Sequence, residues 1–284
     1  MNLFDIYSIL ACPDDGQKIE IIDSGLVCTS CKRKFHTDTN FIDILPKKFT
    51  TEKFDDTELV YSTYYKKLMN PNIIKTFGLI SKSVPLGFVN ETINFLRKYI
   101  KLNQIVCDVG AGGGDYSINL AKNCRIMLHC DLDLNGIMES RKKAAEQKLN
   151  NIIFLRCNYF KLPFQNDVID TIYFIDIIER GIKHDEGLLE IIKKTVKKKG
   201  LLLFDCHASE RYRLTHSKNL HLTTYLKTEM LKIIKKYLLE VVEIEKTGHL
   251  PQLRNWSKIE YKLFNSISKK LFLPPARWIF CVRK

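Results

Sequence analysis

The chain has 284 residues, 45% hydrophobic and 27% charged, with 45 Lys and Arg against 32 Asp and Glu for a formal net charge of +13. That composition is ordinary for a globular protein, and no run of about 18 apolar residues argues for a membrane-spanning helix. The start, Met-Asn-Leu-Phe-Asp-Ile-Tyr, lacks the basic and long apolar regions of a secretory signal, so the expected location is the cytoplasm.

The positive charge invites an RNA or DNA partner. Against that, Lys is abundant along the whole chain, and its densest run, Lys197-Lys198-Lys199, falls where a helix hands over to a strand, an ordinarily solvated position. Nine cysteines are present. Six are scattered (Cys107, Cys124, Cys130, Cys157, Cys206, Cys281), several in apolar runs where a thiol acts as a small hydrophobe. Only Cys12, Cys28 and Cys31 are grouped, a pattern of a reducing compartment and not of a disulfide framework.

In chain order, residues 1–48 read as a small module of short strands and turns, and Lys47 to Thr57 as a polar linker. Residues 49–100 comprise this linker and a helical cap, with Leu59, Tyr61, Tyr64, Tyr65 and Leu68 spaced to lie on the next domain. Residues 101–284 alternate strand and helix. Strands are expected at Ile105–Asp108, Ile126–Asp131, Ile152–Arg156, Ile169–Ile175, Leu201–Asp205, Leu239–Glu245 and Trp278–Val282, with helices at about 114–122, 135–148, 186–197 and 228–236. The four central strands are nearly all apolar, as parallel strands covered on both faces must be. The alternation predicts an α/β fold: a Rossmann-like, doubly wound, seven-stranded, mostly parallel sheet. Pro251, Pro274 and Pro275 in the last connection suit an antiparallel edge.

Between the first of these strands and its helix stands Val106-Cys-Asp-Val-Gly-Ala-Gly-Gly-Gly-Asp115. Gly110, Gly112 and Gly114 let the backbone turn tightly and approach a ligand without a Cβ in the way. Free N–H groups at the following helix start favour a carboxylate or phosphate. Dinucleotide folds use G-x-G-x-x-G, whose third glycine would fall on Asp115, so that reading weakens.

This stretch resembles motif I of the class I methyltransferases, D/E-x-G-x-G-x-G, at every fixed position, and the resemblance runs through about residues 100 to 250. It implies that Asp108 and the loop Gly110, Ala111, Gly112 and Gly114 contact the methionine part of S-adenosylmethionine. It also implies that Asp131, with Leu132 beside it, holds the ribose hydroxyls from the end of the second strand, a little over 20 residues on. Asp133 competes for that role, although its place suits a turn or helix cap. Asn158-Tyr159-Phe-Lys-Leu-Pro-Phe resembles the family's adenine-contacting turn, with Asn158 in place of the usual Asp. Its amide can still accept and donate. Asp176 ends the fourth strand and is expected on the cofactor site as well, and Glu179-Arg180 stands where the family often has Glu-His.

Leu10-Ala-Cys12-Pro, Leu26-Val-Cys28-Thr-Ser-Cys31 and Phe41-Ile-Asp-Ile-Leu-Pro together resemble a short zinc ribbon. That module is found as the small activator of tRNA methyltransferases and fused ahead of bacterial methyltransferases, including an rRNA guanine methyltransferase. Asp15 takes the place of the second cysteine of the first knuckle. Cys12, Asp15, Cys28 and Cys31 are therefore the expected zinc set, with His36 in reserve, and a degenerate ribbon without metal as the alternative.

Methyl transfer from a sulfonium is an in-line displacement that needs alignment and water exclusion. If the acceptor must lose a proton, Asp176 and His207 stand at the sheet edge where ligands bind, His207 being the better base. Tyr61, Tyr64 and Tyr65 could cap the pocket. Neither an Asp/Asn-Pro-Pro-Tyr sequence after the fourth strand nor a Pro-Cys pair occurs, against amino-methylation of DNA bases and cytosine C5 chemistry. The expected acceptor is a small molecule. RNA is the alternative, on the strength of the charge and the ribbon, and a non-catalytic cofactor-binding partner protein is the third reading.

Overall fold

A computed structural model describes residues 4–22, 25–47, 86–178, 182–210, 224–247, 266–267 and 275–284. The cap positions Leu59, Tyr61, Tyr64, Tyr65 and Leu68 and the Glu179-Arg180 pair lie outside the described residues, as do Pro251 and Pro274. No described helix is long and apolar enough to cross a membrane.

The amino-terminal part comprises α1 (Phe4–Tyr7) and strands β1 (Ile19–Ile22), β2 (Gly25–Cys28), β3 (Lys34–Thr37) and β4 (Phe41–Asp43). Helix α2 (Leu86–Tyr99) leads into β5 (Ile105–Val109), α3 (Ser117–Leu120), β6 (Ile126–Asp131), α4 (Leu134–Glu146) and β7 (Ile152–Arg156). Then come β8 (Ile169–Ile178), α5 (Ile182–Thr195), β9 (Val196–His207), α6 (Lys227–Lys236), β10 (Glu240–Thr247) and β11 (Arg277–Arg283).

All strands join one sheet in the order β1-β2-β3-β4-β7-β6-β5-β8-β9-β11-β10. From β4 to β9 every neighbouring pair is parallel, and β11 runs antiparallel to both β9 and β10. The seven expected strands thus form the run β7 to β10, with the antiparallel edge. Among the described residues the expected count of seven is corrected to eleven, because Phe41, Ile42 and Asp43 of β4 pair in parallel with Phe154, Leu155 and Arg156 of β7 and bring the module's strands into the sheet. Two hydrogen bonds extend that ladder, Phe154 N–H to the Asn40 carbonyl (2.8 Å) and Ile44 N–H to the Arg156 carbonyl (3.0 Å).

Period-two alternation sends β5 into two cores. Ile105, Cys107 and Val109 point to the face covered by α5 (Leu188, Leu189, Ile192), α6 (Met230, Ile233, Ile234) and the module's Ile6, Leu10, Leu26 and Ile42. Val106 points to the face covered by α2 (Ile93, Phe95, Leu96), α3 (Ile118, Leu120) and α4 (Ile137, Ala144). Phe174, Phe204 and Phe280 stack across β8, β9 and β11 with centroids 5.1 and 5.3 Å apart, each pair worth about 0.5–1.5 kcal/mol beyond its burial.

Two local expectations are corrected. The helix expected at 114–122 is only the four residues of α3 followed by a 3₁₀ turn at Ala121–Asn123. Positive φ at Gly112 (+52°) and Gly114 (+81°) keeps the chain out of the right-handed helical region until after the loop. The strand expected from Leu201 begins instead at Val196, and the lysine run turns at Lys199 (φ +65°) with Lys197 paired to Asp170 at 2.7 Å.

Candidate active site

The glycine loop sits at the carboxyl end of β5, tied to β6. Gly110 and Ala111 both donate their N–H to the Cys130 carbonyl (2.8 and 3.1 Å), and Gly112 N–H donates to Asp131 Oδ2 at 2.6 Å. A Cβ on Gly110 would lie 2.3 Å from Ile177 Cδ1, and one on Gly136 in the first turn of α4 would lie 3.0 Å from the Gly112 carbonyl oxygen. The loop is therefore gripped between β8 and α4 at van der Waals contact.

Asp131 closes β6 with both carboxylate oxygens already holding one backbone N–H each, from Gly112 and, at 2.8 Å, from Asp133. Each oxygen keeps a further lone pair, so the group can also accept from two hydroxyls. Asp133 is the amino-terminal cap of α4: its carboxylate accepts from the N–H groups of Asn135 (3.4 Å) and Gly136 (3.0 Å). The Leu132 carbonyl, next to Asp131, accepts from Arg156 Nε at 3.4 Å.

Asp108 is buried, and its Oδ2 has no hydrogen-bond partner among the described residues. Burial, with the nearby Asp131 charge adding to it, pushes its carboxyl up to about 8, and burial raises Asp131 to about 6. Two carboxyls that resist ionisation in one pocket are short of a cation. An ammonium and a sulfonium would supply it; a dinucleotide's pyrophosphate would add to the repulsion. The residues present fit S-adenosylmethionine on charge as well as on loop shape.

These raised values carry a stability consequence. Between an unfolded value near 3.8 and the folded values, the folded chain binds more protons than the unfolded one. The stability from Asp131 and Asp108 is complete below about pH 4 and is lost as pH rises through about 6 and then about 8. Scanning fluorimetry of cofactor-free protein from pH 5 to 8.5 is expected to show a falling Tm, with a shallower fall in Asp108→Asn. Equal slopes would refute this burial account.

Asn158 caps the 3₁₀ turn Tyr159–Lys161, its Oδ1 accepting from Phe160 N–H at 2.8 Å. Its NH₂ is the more available end for a ring nitrogen. Tyr159 is half-buried against Phe160, centroids 4.8 Å apart.

At the end of β8 the strand bulges: Phe174 pairs with Phe204 and Ile178 with Cys206, so three residues stand opposite Asp205 alone. Asp176 is at the crest, exposed and with φ +62°. Its N–H donates to Asp205 Oδ1 at 2.8 Å, and Arg277 pairs with both the Asp176 and the Asp205 carboxylates. His207, the last residue of β9, is 7% exposed and stands opposite Arg277 in register. Alternation puts His207 on the same face of β9 as Asp205. The structure thus brings Asp176 and His207 to one edge, where Arg277 and Asp205 hold Asp176 and His207 stands in register with Arg277. Those last two escaped the sequence reading. Asp205 ends an expected strand and the carboxyl-end rule could have flagged it; Arg277 carries no local signal before the strand order is known.

In the amino-terminal module, Cys12, Asp15, Cys28 and Cys31 bring their ligand atoms within 4.8 Å of one another. Cys12 and Cys31 Sγ are 3.8 Å apart, and Cys28 Sγ is 3.4 Å from each Asp15 oxygen. A tetrahedral zinc with bonds of about 2.3 Å to sulfur and 2.0 Å to oxygen has edges of about 3.8 and 3.5 Å, so the donor set fits that ion. His36 is exposed on β3 and outside the cluster.

Residues 100–266, well over half of the chain, match the methyltransferase domain family. The chain belongs to that family. Among curated relatives, the ubiquinone/menaquinone biosynthesis C-methyltransferase UbiE of Rickettsia massiliae is 26% identical over 136 residues, covering 44% of this chain and 52% of that protein. An uncharacterized RNA methyltransferase of Mycoplasma mobile is 23% identical over 134 residues, covering 47% and 35%. The chain thus spans about half or less of the length of these relatives. Magnesium protoporphyrin IX methyltransferase of Synechocystis PCC 6803, solved with bound S-adenosylhomocysteine, superposes with a TM-score of 0.57 at 14% identity, over 82% of this chain and 97% of that one. The α/β fold is that of the class I, S-adenosylmethionine-dependent methyltransferases.

Proposed function

We propose that this methyltransferase transfers a methyl group from S-adenosylmethionine to a small-molecule acceptor. S-adenosylmethionine supplies the electrophilic methyl. Asp131 and Leu132 hold the ribose, Asn158 and Tyr159 the adenine, and Asp108 with Gly110, Ala111, Gly112 and Gly114 the methionine end. Asp176 and His207 form the acceptor side, His207 taking the proton where the acceptor must lose one. Aligning the two reactants is the main source of rate, since an in-line displacement asks for little covalent help. We further propose that Cys12, Asp15, Cys28 and Cys31 bind a structural zinc.

The observation that favours a small acceptor is the sign of the sheet's carboxyl edge. Asp108, Asp131, Asp176 and Asp205 lie at or near the carboxyl ends of four of its strands, against Arg156, Lys246 and Arg277 on the described strands at that edge, and both guanidiniums are committed to carboxylates (Asp43; Asp176 and Asp205). A phosphate backbone gains nothing from such an edge. The names of the UbiE and magnesium protoporphyrin relatives point the same way. RNA is the second reading, supported by the net charge of +13 and the Mycoplasma mobile relative.

The test is to incubate the protein with methyl-labelled S-adenosylmethionine and a cell extract, at low and moderate salt. A small acceptor predicts label in the small-molecule fraction, little change with salt and no competition by total RNA. Label in RNA, with binding falling by about 0.7 log units per log unit of salt for each single-strand phosphate contact, would overturn the proposal. Cofactor binding without transfer to either fraction would support a partner protein instead.

A further inference from the structure

Under the glycine loop lies a buried polar chain. Ser117, the first residue of α3, is fully buried, and its Oγ is 2.8 Å from Nδ1 of His129, also fully buried. On its other side, the hydroxyl and N–H of Ser117 face the Asp108 carboxyl, as does the Tyr173 hydroxyl. His129 pairs in register with Asp108 across β5 and β6 and packs its ring on Phe154, centroids 5.0 Å apart. Its Nε2 has no hydrogen-bond partner among the described residues, and the Gly112 carbonyl of the loop is close by. An apolar residue would fill this core position without the penalty of an unpaired nitrogen, so packing alone does not account for an imidazole here.

Burial holds the ring down to about 3, so it is neutral imidazole at working pH, with one N–H and one lone pair. Ser117 likewise has one O–H and accepts at its oxygen. Such a chain has two self-consistent directions. With Asp108 protonated, its O–H donates to Ser117, whose O–H donates to Nδ1, and the His129 proton sits on Nε2 towards Gly112. With Asp108 ionised, Ser117 donates to the carboxylate and accepts from Nδ1–H.

We propose that Ser117 and His129 are positioning residues that stabilise the ionised form of Asp108 when the cofactor binds. This rests on the cofactor reading above. On binding, Asp108 gives one proton to solvent, the Ser117 hydroxyl turns towards the carboxylate, and the ring proton of His129 moves from Nε2 to Nδ1 by exchange. No other proton is gained or lost. The remaining titratable groups facing this pair are Asp131 on β6, Tyr173 on β8, Tyr116 before α3 and Lys143 on α4.

The experiment is titration calorimetry with S-adenosylmethionine alone, from pH 6 to 9.5, in buffers of different ionisation enthalpy. Wild-type protein is expected to release a proton on binding near pH 7 and to bind more tightly as pH rises through about 8. Ser117→Ala and His129→Leu are expected to bind about tenfold more weakly at pH 7, the equivalent of one pKa unit, and to approach wild-type affinity above pH 9, where Asp108 ionises unaided. His129→Asn, which keeps an amide at the Nδ1 position, is expected to recover most of the loss. Should His129→Leu fail to fold, Ser117→Ala and His129→Asn carry the test. A loss equal at every pH, or none, would overturn the proposal. Failure of wild-type protein to bind at any pH would instead strike the cofactor reading.

Discussion

Gly114→Val is expected to abolish cofactor binding while leaving the protein folded. Gly114 has φ +81°, a region that costs an L-residue about 1–2 kcal/mol and a β-branched one more. Space is also lacking: a Cβ there would meet Ser140 Oγ at 1.9 Å, Ile118 Cγ1 at 3.0 Å and Ser140 Cβ at 3.1 Å. Ser140 and Ile118 are buried on α4 and α3, so the loop must yield before the helices do. Once it moves, the N–H of Gly112 leaves Asp131 and the pocket loses its shape on two sides. Affinity measured by calorimetry should fall at least about a hundredfold, close to 3 kcal/mol, with near-ultraviolet circular dichroism unchanged. Gly187→Ala is the control, since nothing lies within 4 Å of a Cβ in that helical position; it should bind normally and be slightly more stable. Binding by Gly114→Val within a few-fold of wild type would show that the loop does not contact the ligand.

Cys28→Ser is expected to strip the protein of zinc and melt its amino-terminal module. Cys28 is fully buried and stands opposite Asp15, so a serine oxygen at that site is too short and too weak a ligand to replace the thiolate. Metal analysis should give about one zinc per wild-type chain and none in the variant. Because structural zinc contributes directly to folding, the variant and chelator-treated wild type should both melt well below the metal-loaded protein, with proteolysis starting before residue 48. Metal-free protein with unchanged Tm would make the four side chains a packing arrangement only.

Much of this was legible because its signals are local. Apolar runs at Ile105, Ile126, Ile152 and Leu201 became central strands, since runs this short alternating with helical segments suit parallel strands covered on both faces. Asp133, a competitor of Asp131 for the ribose, also suited a turn or helix cap from its place just after the strand end, and the structure makes it the cap of α4. Cys12, Asp15, Cys28 and Cys31 were expected as one donor set from the resemblance to a zinc ribbon, and their ligand atoms converge. What stayed hidden depends on register between distant segments. Arg277 reaches Asp176 and Asp205 only because β11 inserts between β9 and β10, a fact no window around residue 277 contains. The buried Ser117–His129 contact likewise depends on how far α3 is delayed by the glycines before it.

The parallel pairing of β4 with β7 has a consequence for how the chain folds. Phe41 and its partner Phe154 are separated by 113 positions, so the module, made before β7, must wait for a strand made much later. Closing a loop of that length is slow, and a pairing of this kind forms late. Until it forms, β7 offers a row of open N–H and C=O groups flanked by Ile152, Ile153 and Phe154, the sort of edge that recruits other chains. In the folded chain β4 covers that edge from within the same polypeptide, whatever else the module's cysteines hold.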